Sequence, residues 1–111
     1  MQDIMDLHTH TFVSGHAFNT MNEMIQAAAE KGLKVLGITD HGPAYPESCK
    51  NVYFRSLWMP SRKKMGITVL YGIELNILDF DGTVDMLKKD LAKMDLTVAS
   101  MHPACFKSGN K

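Results

Sequence analysis

Five histidines and one glutamate carry the chemistry this chain can do, and each follows an apolar run: His8, His10 and His16 come after Ile4–Leu7, His41 after Val35–Ile38, Glu74 after Ile67–Ile73, and His102 after Leu96–Met101. Imidazole and carboxylate together suit zinc, and equally manganese or iron. Side chains two apart on a strand point the same way, so His8 and His10 can grip a single ion. Taken singly, each residue has a plainer explanation. An H-x-H pair at a strand end is often just exposed polar surface, His41 could be a satisfied core histidine, and Glu74 a solvated strand terminus. Their joint placement outweighs those explanations, because independent residues would not gather every histidine and a carboxylate at strand ends.

Two acids read as supports rather than ligands. Asp40 precedes His41 and should face the opposite side of its strand, where a carboxylate can orient an imidazole. Asp6 shares strand parity with His8 and His10, and could equally hold a backbone amide. Lys50, Arg55, Arg62, Lys63 and Lys64 could hold an anionic substrate, but charges around helix ends are more often a solvated face.

The elements that must position these residues follow from periodicity. Met21, Met24, Ile25 and Ala28 recur at helical spacing, Thr20 and Glu23 have capping-box spacing, and Gly32 stands where a helix stops. Val35–Ile38 is continuously apolar, as expected of a parallel strand covered on both faces. Gly42 to Gly66 reads as a loop plus a short crossover helix broken at Pro60. Ile67–Ile73 forms a third strand, Val84, Leu87, Leu91 and Met94 share the face of a further helix, and Leu96–Met101 forms a fourth strand. Alternating strands and helices predict an α/β fold with parallel strands and right-handed crossovers. In such folds chemistry gathers at the carboxyl ends of the strands, where all the ligand types lie.

Composition narrows the function classes. The chain has 111 residues, 45% of them hydrophobic, which suffices for one core and one domain. Twelve basic and twelve acidic residues leave no net charge, so the electrostatic footprint of a nucleic-acid binder is missing. No run approaches the roughly 20 apolar residues of a membrane helix. Cys49 and Cys105 lack metal-ligand spacing and read as free thiols, and no signal pattern opens the chain, so the expected compartment is the cytoplasm.

Asp6-Leu7-His8-Thr9-His10, Gly37-Ile38-Thr39-Asp40-His41-Gly42, Gly72-Ile73-Glu74 and Ala99-Ser100-Met101-His102 resemble, in order, successive motifs of the polymerase and histidinol phosphatase (PHP) family. The nearer resemblance is to its stand-alone bacterial phosphatases, in which a histidine like His16 also follows the first motif. The resemblance implies a distorted seven-stranded, TIM-like α/β barrel with a trinuclear metal centre, usually of zinc, that hydrolyses phosphate esters. It further implies that His8 and His10 hold one ion, that Glu74 bridges this ion and a second held by His102, and that His16 with His41 holds the third.

Members of the family draw further ligands from later strands, a histidine and then an Asp-x-His pair, and this chain reaches Lys111 without them. A complete barrel runs to roughly 250 residues. Residues 1–111 are therefore expected to form a partial PHP domain, its first four βα units. The expected function is metal-dependent hydrolysis of a small phosphorylated substrate. Two alternatives stay open: a non-catalytic remnant that binds metal or a partner, and a module of a DNA polymerase. Open barrel edges would favour self-association.

Overall fold

The computed structural model describes residues 4–107. Its frame is a sheet in which β1 (Met5–Thr9), β2 (Val35–His41), β4 (Ile67–Asn76) and β5 (Leu96–Ser100) run parallel in that spatial order. This is the expected α/β architecture, a curled set of parallel strands consistent with part of a TIM-like barrel. The two central strands are buried over most of their length, which is why β2 and β4 read as continuous apolar runs. The outer strands β1 and β5 remain largely exposed or half-buried.

Helix α1 (Met21–Glu30) forms where the periodicity places it. The Thr20 side chain accepts from the Glu23 amide while the Glu23 carboxylate accepts from the Thr20 amide, satisfying two donors at the open helix end. Ile25 and Ala28 face inward and join Leu36, Ile38, Val69, Tyr71 and Ile73 in one apolar cluster. Burying Ile25 completely contributes about 1.5–3 kcal/mol. From the crossover after β2, helix α2 (Asn51–Arg55) adds Phe54, and Leu57 follows just beyond it.

Two elements depart from the sequence reading. The helix expected to carry Val84, Leu87, Leu91 and Met94 shrinks to α3 (Lys88–Leu91). Val84 instead bridges Ile77 in extended conformation, and Leu87 is exposed at the helix start. Tertiary pairing of the 76–85 turn outweighs the helical pattern there. A two-residue strand, β3 (Lys63–Lys64), pairs antiparallel with the start of β4, where no strand is legible.

The two edges of β4 explain how the sheet is completed. One edge is taken by β2 from Thr68 to Glu74, so β3 at Ile67–Thr68 and β5 at Gly72–Asn76 share the other, end to end. The gap between them leaves the Tyr71 amide without a strand partner, and the Asp95 carboxylate accepts from it at 2.9 Å. Asp95 also pairs with Arg62 at 2.9 Å, and the Arg62 guanidinium lies 4.9 Å over the Tyr71 ring. Just beyond this gap β5 approaches closely: a Cβ on Gly72 would collide with the Leu96 carbonyl oxygen.

Arg55 pairs with Asp90, Lys63 reaches Thr68, and Lys64 reaches Asn22. Lys63 and Lys64 lie beside the start of β4, about 20 Å of extended chain from Glu74. Arg55, Arg62, Lys63 and Lys64 thus serve the scaffold or face solvent.

Candidate metal centre

Parallel register carries the ligand types to one end of the sheet. Asp40 pairs with Ile73 and His41 with Glu74 across β2 and β4, while Asn76 pairs with Ser100, two residues before His102. The Glu74 carboxylate sits at the centre, buried. Its Oε1 lies 2.9 Å from His8 Nε2, 3.1 Å from His10 Nε2 and 3.3 Å from His41 Nδ1, and its Oε2 lies 3.4 Å from His102 Nε2. Four of the five histidines therefore converge on one carboxylate. His16, the fifth, is exposed and packs edge-on to His10 and His41, with ring centres 5.6 and 4.9 Å away.

Within this cluster two sets of three donors stand close enough to share an ion: His8, His10 and Glu74, and His41, Glu74 and His102, each set within 4.8 Å. The second set differs from the implied grouping of His41 with His16. Despite the short separations, Glu74 Oε1 and His41 Nδ1 are buried without a hydrogen bond of good geometry. Such orphaned polar atoms are costly unless something else satisfies them.

Electrostatics keep the donors in the form a cation needs. Burial pulls the His41 pKa down to about 4, assisted by the neighbouring His10, against the attraction of Glu74. Burial lowers His10 as well, with Glu74 and Asp40 opposing. Burial resists ionisation of Glu74, but the neighbouring His8 and Ser100 side chains, and then His41, outweigh it and leave its pKa below the usual carboxylate value. Near neutral pH the centre is a carboxylate ringed by neutral imidazoles at positions 10 and 41.

The two expected supports fall differently. Asp40 is fully buried and touches no imidazole. It accepts from the Thr11 amide at 2.6 Å, the Thr11 hydroxyl at 2.9 Å, the Ser14 hydroxyl at 2.8 Å and the Tyr53 hydroxyl at 3.2 Å. It reaches an imidazole through Ser14, whose oxygen accepts from the His41 amide at 3.0 Å and lies 3.3 Å from His10 Nδ1. Since the Ser14 proton goes to Asp40, His10 Nδ1 must donate to Ser14, which leaves its Nε2 lone pair aimed at Glu74. So Asp40 stands behind His10 rather than His41.

Asp6 departs from the parity argument. A bulge in β1 sets Asp6 against Leu36 but Thr9 against Ile38, three steps on one strand for two on the other. Asp6 and Thr9 consequently line a shallow cleft with Met24, Ala27 and Ala28 of α1, and the Asp6 carboxylate accepts from the His8 amide at 3.2 Å. Asp6 holds backbone, not imidazole.

Sequence reasoning missed Ser14, Tyr45, Asn76 and Asp85. Tyr45 stacks flat on His41, with centroids 3.9 Å apart and planes 6° off parallel, and meets His16 and His102 edge-on. Asn76 bonds His102 Nδ1 at 2.6 Å and is itself held by Asp85. Asn76 lies two residues beyond Glu74, on the same face of the strand by parity, a signal that was available. Tyr45 and Asp85 lie in loops and Ser14 in a single 3-10 turn, Phe12–Ser14, none long enough to show a period.

The parallel strands of this α/β sheet thus bring four histidines around one glutamate at their carboxyl ends. The PHP domain family matches residues 6–110, and the chain belongs to that family. It is 46% identical over 105 residues to a protein of Caldicellulosiruptor saccharolyticus named probable phosphatase, covering 95% of this chain and 44% of that protein. A probable phosphatase of Clostridium botulinum strain Hall is 44% identical over 110 residues, 99% of this chain and 45% of its own. One from Caldanaerobacter subterraneus subsp. tengcongensis is 43% identical over 103 residues, 93% and 41%. The chain thus spans under half the length of these curated relatives. Among the described residues no helix is long and apolar enough to cross a membrane.

Proposed function

We propose that this chain forms the first half of the metal centre of a phosphatase acting on small phosphate esters, with Glu74 shared between two ions. The observation that carries this reading is the buried, orphaned pair Glu74 Oε1 and His41 Nδ1 inside a ring of imidazoles. A cation accepts a lone pair from both atoms at once, and the imidazoles of His8 and His10 beside Glu74 Oε1 offer it further donors. The donor set suits zinc, with manganese or iron as alternatives. His8 and His10 with Glu74 would hold one ion, and His41 and His102 with Glu74 the other. His16 stands beside both, available to a third site shared with His41.

When bound, such ions supply Lewis acidity toward a phosphoryl oxygen and lower the pKa of water. This chain's own residues present lone pairs at fixed positions. Asp40 and Ser14 hold His10, Tyr45 covers the outer face of His41, and burial keeps His41 neutral so that no proton competes for its nitrogen. Neither thiol fits the role of nucleophile: burial pushes Cys49 up to about 11 and raises Cys105 too. Two free thiols suit a reducing cytoplasm.

One observation favours metal binding without turnover by this chain alone. Each donor set holds two imidazoles and a carboxylate that it must share, whereas catalytic zinc sites keep three protein ligands each. The exposed Met5 and Leu7 of the outer strand β1, with exposed Ile4 just before it, further support association, by edge pairing, with a second copy or with more of the barrel. Zinc titration of the metal-free chain, gel filtration, and a p-nitrophenyl phosphate assay on the zinc-loaded protein test these points together. The expected result is weak zinc binding that depends on Glu74, with little turnover. Absence of zinc binding at millimolar metal would overturn the metal centre, and brisk turnover by a monomer would overturn the need for further ligands.

A further inference from the structure

We propose that Asn76 is a positioning residue that fixes His102 as the Nδ1–H tautomer, so that its Nε2 lone pair faces Glu74. The Asp85 carboxylate accepts from the Asn76 backbone amide at 2.9 Å, from the Ala44 amide at 2.9 Å and from Asn76 Nδ2 at 2.6 Å. Asn76 Nδ2 also donates to the Gly42 carbonyl at 3.3 Å. Both of those partners are acceptors only, so the Asn76 amide cannot be turned over without setting its oxygen against them. Its Oδ1 must therefore be the atom 2.6 Å from His102 Nδ1, and an amide oxygen can only accept. In the neutral ring His102 Nδ1 then carries the proton, and Nε2, 3.4 Å from Glu74 Oε2, keeps its lone pair.

Three features make this a dedicated device. Asn76 is completely buried, its orientation is determined by an acid that no cation among the described residues pairs with, and the path to Asp85 is clear because residue 42 is glycine. A Cβ at Gly42 would lie 2.5 Å from Asp85 Oδ2. The same chemistry recurs across the site, where Asp40 acting through Ser14 leaves His10 Nε2 free. Two imidazoles from different loops are thus preset by separate relays, each ending in an acid. An imidazole bound to a cation through one nitrogen normally donates its other N–H in this way, which holds the ring and raises its basicity.

The consequence for metal affinity rests on the metal-centre reading, but the tautomer does not, and the experiment separates them. Two-bond proton–nitrogen correlation spectra of the metal-free, nitrogen-labelled chain, at a pH where the ring is neutral, distinguish pyrrole-like from pyridine-like nitrogens. In the unaltered chain His102 should show a protonated Nδ1 and a pyridine-like Nε2. Asn76→Leu, close in size but without an acceptor, should give a mixture of tautomers and about 10- to 100-fold weaker zinc binding. Asn76→Asp, which can share a proton with Asp85 and still accept from His102, should restore the single tautomer and most of the affinity. A pyridine-like Nδ1 in the unaltered chain, or an unchanged tautomer in Asn76→Leu, overturns the proposal. A correct tautomer pattern in a chain that binds no zinc would instead leave Asn76 in its positioning role and defeat the metal-centre reading.

Discussion

Replacing Asp40 by alanine should both loosen the fold and weaken the metal centre. Asp40 accepts four hydrogen bonds, two from Thr11, one from Ser14 and one from Tyr53, and Thr11, Ser14 and Asp40 itself are all buried. Tyr53 remains a donor, because burial and then the Asp40 charge raise its phenol pKa. Removing the carboxylate leaves at least the Thr11 amide and the Ser14 hydroxyl, both buried, without their acceptor. At about 1–3 kcal/mol for each unsatisfied buried donor, the loss is about 2–6 kcal/mol, a large share of the about 5–15 kcal/mol typical of a small domain. The same change frees Ser14 to rotate away from His10 Nδ1, so zinc affinity should fall about 10- to 100-fold. Tyr53→Phe is the control: it removes one of four donors, should cost about 1 kcal/mol, and should leave zinc affinity unchanged. Urea unfolding of the metal-free chain and zinc competition against a chelator read the two effects separately. Asp40→Ala within 1 kcal/mol of the parent would refute the burial argument, and lost stability with unchanged zinc affinity would show that Asp40 holds the loop but not the imidazole.

Three further outcomes follow from the geometry. Glu74→Gln should abolish zinc binding at both donor sets, whereas His8→Ala should weaken only one; equal loss in the two variants, seen as stoichiometry in titration calorimetry, would rule out a shared carboxylate. Gly72→Ala drives a Cβ into the Leu96 carbonyl oxygen, so it should part β5 from β4 and destabilise the chain by about 3 kcal/mol or more; a urea midpoint equal to the parent's would show that the strands relax freely. The stability of the metal-free chain should climb with pH. The His41 pKa is about 4 when folded against 6.5 for the free residue, so the unfolded chain binds more protons across that window and stability rises through it, by about 2–3 kcal/mol. Glu74, also lowered, adds in the same direction because its contribution is lost as pH falls. Unfolding midpoints that stay flat between about pH 4 and pH 7 would contradict the buried, neutral His41.

Much of the scaffold was written in local chemistry. The capping box at Thr20 and Glu23, the inward face of α1, and the apolar runs of β2 and β4 depend on near neighbours and on period, which a linear chain displays directly. The convergence of His8, His10, His41, Glu74 and His102 was legible for a related reason. Parallel strands joined by crossovers must end on the same side, so residues at strand ends meet without any contact being known. Where the periodicity of a single element was trusted against its neighbours, it failed: Leu87 and Val84 gave up their helical face to the turn that brings Asp85 under Asn76.

What only the tertiary structure decided is which atom each side chain serves. The bulge in β1 reverses parity after Asp6 and turns that carboxylate away from the imidazoles, a one-residue irregularity that alternation cannot register. Asp40, one residue from His41, supports His10 through Ser14 instead, because the turn at Phe12–Ser14 folds back over β2. Asp85 reaches Asn76 from nine positions away, through a loop without period, and so the tautomer of His102 rests on a contact that spacing along the chain does not encode. Hydrogen bonds act over about 3 Å and depend on direction, so their partners become known only when loops and strands are assembled in space.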